Sequence, residues 1–434
     1  MSQEQNANES GPSAKKMKPN DEDNNPAAVN GEQQLADIFK LNIDCFEEVF
    51  DYLSLGDLAN LGQTCKRMQR IAGHCFQLNY GAAQIKFSGV FSFLGGFKID
   101  CFKDFFQNVF LIRDVENHMM NFVSALKHSA SIKRIEIGYF RLRMALITEM
   151  KEILSKAESV TINGYDENGN ELDTLIAACS PNVKYLSLSE KPKKHEWMYR
   201  FYPALTRFDW EEIPELETFL ELNTTINQLT VNTKIFWSNR ELFKNSNIKF
   251  DTLSIGYDGK VEIQLFCRLL NELYEMGFYK KLKFFDKLST HQEIIDALAT
   301  VKGLVKFRAA LDNYGVTVGA LRNLEELCVF ESHSITDLKL IPHMLSNLKR
   351  LHFITADSDY ILPIVRHAER VNKIKVKYFR CGSHFDGNNK ILDLLALNKE
   401  REKLVGARKI TIYVEENVYL ATKWAIKHIG VTNK

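Results

Sequence analysis

The feature that most constrains this chain is a short apolar pattern, Φ-x-x-Φ-x-Φ with Φ apolar, that returns at a nearly even interval. It is clearest in IKRIEI, VKYLSL, LTRFDW, INQLTV, LEELCV, LKRLHF and VNKIKV. With the middle Φ as marker, twelve copies fall at Ile135, Val160, Leu186, Phe208, Leu229, Leu253, Leu282, Phe307, Leu327, Leu351, Ile374 and Ile410. Successive markers are 20 to 29 residues apart except for a last step of 36, and weaker copies at Ile85 and Val109 extend the period backwards. A six-residue strand that recurs at this spacing cannot bury its apolar face alone. Its partner must be the next copy of itself.

Between the strands lie amphipathic helical stretches such as ELDTLIAAC, ELETFLELN, EIQLFCRLLNELYEMG, QEIIDALAT and ILDLLALNKEREKL. Strand and helix alternating at one period predict a parallel sheet with helices along one side. The pattern resembles a leucine-rich repeat, which implies a curved α/β solenoid with its helices on the convex face. The Asn or Cys usual three residues after the last Φ is absent at all twelve markers, so an irregular solenoid with turns of varied length is expected. The amphipathic ending NVYLATKWAIKHIG reads as its terminal cap.

Ahead of the repeats, LNIDCFEEVFDYLSLGDLANLGQTCKRMQRIA divides into three short helical pieces. The first spans Asp44 to Leu53, with Cys45, Phe46, Val49, Phe50 and Leu53 covering more than one helix face. A second starts near Leu55, after a capping box of Ser54 and Asp57, and a third is capped by Thr64. About 32 residues are too few to fold unaided, so the piece needs a partner surface.

The segment resembles an F-box, the motif by which substrate receptors dock on the Skp adaptor of Skp-cullin-F-box ubiquitin ligases. Leu41, Phe46, Glu48, Val49, Phe50, Tyr52, Leu53, Asp57, Leu58, Leu61, Cys65, Lys66 and Arg67 stand at motif positions. Asn42 replaces the usual proline, and Met68 the usual aromatic. The resemblance implies docking on the adaptor, and through it on a cullin, by way of Leu41, Phe46, Val49, Leu53, Leu55 and Leu58. The fold class expected is therefore α/β. Residues 1–37 form a disordered tail, 38–80 a short all-helical F-box, and 81–434 an irregular leucine-rich-repeat solenoid with a helical cap.

Composition excludes several other functions. Fifty-six Lys and Arg against 55 Asp and Glu leave no overall drive toward nucleic acid or anionic membrane. No apolar run is long enough to span a bilayer, and the polar N-terminus has no signal-peptide core, so a cytoplasmic or nuclear protein is expected. AKKMKP, within that tail, has the look of a nuclear import signal, although such clusters are common in solvated tails. Eight cysteines without a CxxC pair read as buried thiols, not as bridges or metal ligands. DENGNELD begins like a calcium loop but has Glu171 and Ala177 where glycine and the bidentate glutamate belong. No phosphate-binding loop, HExxH or serine elbow is present, and His343, His352 and His367 read as surface or capping residues. No catalytic residue, metal or cofactor is expected.

What remains is binding. The three x positions of the twelve strands hold 15 Lys or Arg against six acids, and in the last six strands eleven against two. Because the whole chain is balanced, this face is predicted to form a positive trough for an acidic or phosphorylated protein target, through Lys281, Lys283, Arg308, Lys349, Arg350, Lys373 and Lys375. The bland explanation is that strand lysines merely stay solvated. Few aromatics interleave with these cations, which argues against nucleic acid. The function expected is substrate recognition within a ubiquitin ligase. The alternative is a non-catalytic repeat scaffold acting outside one.

Overall fold

The computed structural model describes residues 41–88, 91–111, 123, 126, 127, 129, 131–138, 144–163, 170–179, 182–188, 196–210, 216–311, 318–332, 335–356, 358–379 and 391–429. The tail expected over 1–37 and its AKKMKP motif lie outside these residues, as does the start of DENGNELD. Ile43–Lys434 is one compact unit.

Three helices open it. The first, α1 (Ile43–Phe50), turns Phe46 and Phe50 inward and stops a turn short of the expected Leu53. The second, α2 (Leu55–Gly62), starts where the capping box placed it, and the Ser54 side chain accepts the Asp57 N–H. The third, α3 (Lys66–Tyr80), is capped by Cys65 instead of Thr64. The Cys65 thiol accepts from Met68 N–H, while the Thr64 hydroxyl donates back to the Leu61 carbonyl. Threonine has turned to close the helix before it, so the next residue opens the helix after.

All the described strands lie in one sheet. It begins with β1 (Gln84–Ser88), β2 (Phe91–Leu94), β3 (Phe97–Lys98), β4 (Asn108–Leu111), β5 (Arg134–Ile137), β6 (Ser159–Ile162), β7 (Tyr185–Leu188) and β8 (Arg207–Trp210). It continues with β9 (Gln228–Asn232), β10 (Phe250–Tyr257), β11 (Tyr279–Ser289), β12 (Leu304–Leu311), β13 (Glu326–Ser332), β14 (Arg350–Ala356), β15 (Lys373–Phe379) and β16 (Thr411–Tyr413). From β16 back to β4 every neighbour is parallel and consecutive, and β4 then pairs in parallel with β1, skipping β2 and β3. At the β1 end the repeat pattern gives way to an antiparallel hairpin, β2–β3, paired to β1. Its turn is Gly95–Gly96 with φ of 59° and 89°, a conformation that side chains resist and that matches the twist of a two-residue hairpin.

The period becomes a ladder. Ile85, Val109, Ile135, Val160, Leu186, Phe208, Leu229, Leu253 and Leu282 stand opposite one another in unbroken parallel register. All of them are buried. A parallel column like this stacks each marker on the next, so burial of one depends on the presence of both neighbours. Helices cover these apolar rows. Ile263–Glu275, with Phe266, Leu270 and Leu273 inward, lies in a stretch predicted helical from sequence.

Two registers differ from expectation. Leu282 pairs with Leu304 and Lys283 with Lys306, so one residue bulges and Phe307 aligns with Phe284. At the end, Ile374 pairs with Ile412 and not with Ile410, which brings Thr411 and Tyr413 into the strand and leaves Arg408 and Lys409 outside.

Laid flat, sixteen strands at about 4.8 Å spacing would be about 70 Å wide. Yet Leu55 and Tyr80, before the first strand, hydrogen-bond Glu416, beyond the last. The sheet must therefore curve strongly enough to bring its two ends together, although β3 and β16 themselves do not pair. No described helix is long and apolar enough to cross a membrane.

Candidate functional site

The helical segment is seated on β3 and on the 3-10 turn Asp100–Phe105 that follows it. A Cβ on Gly56 would lie 2.8 Å from the Phe97 ring, one on Gly62 would lie 2.8 Å from Phe102, and one on Gly73 would lie 2.1 Å from Phe105. Glycine is required at these points because aromatic rings reach the helix backbones. Phe76 of α3 completes the seam, stacked on Phe102 at 4.8 Å and against Phe106 at 6.0 Å. Gln69 donates to the Cys101 carbonyl across it.

This seating divides the six residues expected to dock. Phe46, Leu55 and Leu58 are buried within the chain. Phe46 packs on Phe50 at 5.5 Å and carries the Arg67 guanidinium 6.0 Å above its ring. Leu53 is half-buried, while Leu41 and Val49 are 39% and 52% exposed. Ile43, which the sequence reading omitted, is 55% exposed and on the same helix as Val49. Of the six expected residues, Leu41, Val49 and Leu53 thus keep accessible surface, and Ile43 adds to it. Phe46, Leu55 and Leu58 belong instead to the packing within the chain.

The C-terminal helix Glu416–Ile429 reaches the same segment. Glu416 Oε1 accepts the Leu55 N–H at 2.7 Å and the Tyr80 hydroxyl at 2.5 Å. Burial and then this carboxylate push the Tyr80 phenol up, so it stays a donor. Lys423 donates to the Asp51 carbonyl at 3.1 Å and its carboxylate at 3.3 Å, and sits 4.3 Å above the Tyr52 ring.

On the sheet face away from the helices, the expected positive trough is present only in part. Lys349 pairs with Glu325 at 2.8 Å, and Arg350 with Glu326 at 3.4 Å. Glu326 also binds Lys306, while Lys373 lies over the Tyr413 ring at 4.4 Å. Lys281 and Lys375 are exposed. Lys283 and Arg308 differ from the rest. Both line a groove of about 880 Å³ together with Arg207, Asp209, Phe285 and Lys306. Among the described residues neither makes an ion pair, and Arg308 lies 4.2 Å over Phe330. Burial, then Lys306 and Arg207, pull the Lys283 amine down. The cationic focus is therefore at Lys283 and Arg308, nearer the middle of the sheet than the charge count implied.

His352 corrects another expectation. It is neither a surface nor a capping residue but sits within β14, its Nδ1 3.5 Å from the Cys328 thiol. Burial, with Lys375, Lys306 and Arg308 nearby, lowers it to about 4. Neutral imidazole beside a thiol that burial pushes up is not an activated nucleophile. No cluster of three metal-ligating side chains occurs among the described residues.

Residues 38–75 match the family model for the F-box domain. No curated protein matches the chain. Among solved structures, "Crystal structure of TLR13-ssRNA13 complex" aligns over 64% of this chain and 43% of its own, at 10% identity and a TM-score of 0.31. An F-box implies a role in substrate recognition by Skp-cullin-F-box ubiquitin ligases, whose F-box subunits are generally non-catalytic.

Proposed function

We propose that this chain is the substrate-recognition subunit of a Skp-cullin-F-box ubiquitin ligase, with leucine-rich repeats as its target-binding part. The observation that carries the reading is the F-box at 38–75 seated directly on the end of a repeat sheet. The adaptor docks on Leu41, Val49 and Leu53, with Ile43 added, and Phe46, Leu55 and Leu58 support that surface from below. A target protein with an acidic or phosphorylated segment lies on the open face, over Lys283 and Arg308, with Lys281, Lys349, Arg350, Lys373 and Lys375 at its margins. A seam as closely packed as Gly62 on Phe102 fixes the distance between adaptor and target. A fixed distance raises the effective concentration of the target and the charged ubiquitin-conjugating enzyme held on one scaffold, which is all the catalysis such a subunit supplies. The chain then acts in the cytosol or nucleus.

The same seam also suits a second reading, in which the helical segment is only the N-terminal cap of a scaffold. Replacing Val49 and Leu53 with Glu separates the two. The substitutions remove hot-spot apolar contacts and should abolish co-purification of the Skp adaptor while the far-ultraviolet spectrum and melting stay normal. Undiminished capture by a folded double variant favours the cap.

A further inference from the structure

The contact between the C-terminal helix and the F-box is specific and falls on one short strip. Lys423 holds Asp51 through both its carbonyl and its carboxylate and covers the Tyr52 ring; Glu416 holds the Leu55 N–H. Leu53, one of the residues on which the adaptor surface depends, lies between Tyr52 and Leu55. Val49 is two residues before Asp51. The helix that makes these contacts is fastened from the other side as well, by Leu392 N–H to the Thr422 hydroxyl, and the residue just before it, Glu415, accepts the Phe379 N–H. Packing of the last repeats thus sets where Glu416 and Lys423 stand.

From this adjacency, in which the held residues Asp51, Tyr52 and Leu55 interleave along the chain with Val49 and Leu53, we infer that the C-terminal helix is an internal competitor of the adaptor, a latch that must leave the Asp51–Leu55 strip before the adaptor can close over the neighbouring Val49 and Leu53. The inference rests on the adaptor-docking reading above. An adaptor that extends from Val49 and Leu53 onto Asp51 and Leu55 displaces the helix, so the closed form lowers apparent adaptor affinity by the fraction of molecules that are open. The coupling is reciprocal: whatever stabilises the helix in place weakens adaptor binding, and adaptor loosens the helix by the same factor. Lys423 and Glu416 are suited to such a latch because charged hydrogen bonds at a half-exposed surface are strong enough to bias two states yet weak enough to break. The α1–α2 connection is then the point at which events at the end of the solenoid reach the adaptor surface.

The test uses the full chain and purified Skp adaptor. In the free protein a carbodiimide should join the Lys423 amine to the Asp51 carboxylate as an amide, detected as a 51–423 cross-link by mass spectrometry, and saturating adaptor should abolish it. Lys423→Glu sets like charges together at Asp51, and Glu416→Ala removes the acceptor of Leu55 and Tyr80. Each should tighten adaptor binding about tenfold, the effect of losing one or two charged hydrogen bonds from the closed form. Asp51→Lys combined with Lys423→Glu should bring affinity back toward that of the natural chain. Adaptor binding that leaves the cross-link intact, or latch variants that bind adaptor equally or more weakly while folded, would overturn the competition alone. Failure of every latch variant to bind adaptor would instead bring down the docking reading, and the inference with it.

Discussion

Gly62 at the end of α2 is the most sensitive point of the seam, and its replacement by alanine decides whether the F-box is fused to the solenoid or merely tethered. For a helix considered alone, Gly→Ala is favourable, by up to about 1 kcal/mol. Here the new Cβ would lie 2.8 Å from Phe102 Cε1, 3.1 Å from its Cζ and 3.4 Å from the Cys101 thiol. Phe102 is fully buried and stacked on Phe76, so its ring has no empty space to enter. Overpacking of this kind costs about 1–3 kcal/mol. Net destabilisation of about 1–2 kcal/mol is expected, opposite in sign to the propensity effect, and should be measured as a lower urea midpoint at unchanged slope. Phe102→Leu should lose stability alone, yet recover part of the Gly62→Ala loss when the two are combined, a coupling readable from the four-protein cycle. If Gly62→Ala is neutral or stabilising, the helices do not pack on the aromatic turn as described, and the fixed adaptor-to-target distance falls with them.

Two further outcomes follow from the open face. The folded state holds His352 at about 4, below the ordinary histidine range, chiefly through burial. A lowered histidine contributes stability in full above about pH 6.5, and that contribution is lost as pH falls toward 4, by about 1–2 kcal/mol after discounting for solvent screening. His352→Gln should flatten the melting profile over this window and leave it unchanged at pH 8. In target capture, Lys283→Ser with Arg308→Ser should weaken binding about tenfold or more and reduce its salt dependence, whereas Lys349→Ser with Arg350→Ser should change it little, since Glu325 and Glu326 already engage those two side chains. Equal losses from both pairs would return the target site to the broader trough.

Much of the fold was legible because the repeat signal is local: a marker residue such as Leu229 announces both its strand and its burial, and the next marker announces its neighbour. The exceptions are where spacing alone misleads. The stretch ARKITI around Ile410 satisfies the pattern, but the pairing of Ile374 selects Ile412, and nothing near Leu304 declares that one residue will bulge. The F-box was legible from its own residues. Which of its apolar side chains face outward was not, because that depends on Phe97, Phe102 and Phe105, aromatics that a three-helix reading had no reason to connect with Gly56, Gly62 and Gly73. The neutralisation of Lys349 and Arg350 was hidden for the same reason: their partners, Glu325 and Glu326, are 24 residues away along the chain and adjacent only across β13 and β14. Closure of the ends through Glu416, 336 residues from Tyr80, leaves no trace in sequence pattern.

The central claim is that the exposed edge of the first two helices receives the adaptor while the open sheet face stays free for a target. Hydrogen–deuterium exchange of the full chain, with and without saturating Skp adaptor, tests it most directly, because it maps the footprint instead of only detecting binding. Amides from Ile43 to Leu58 should slow at least about tenfold, with those of β9 to β14 unchanged and those of Glu416–Ile429 accelerated as the latch opens. Protection spread over β9 to β14, or no protection in α1 and α2, would contradict the account.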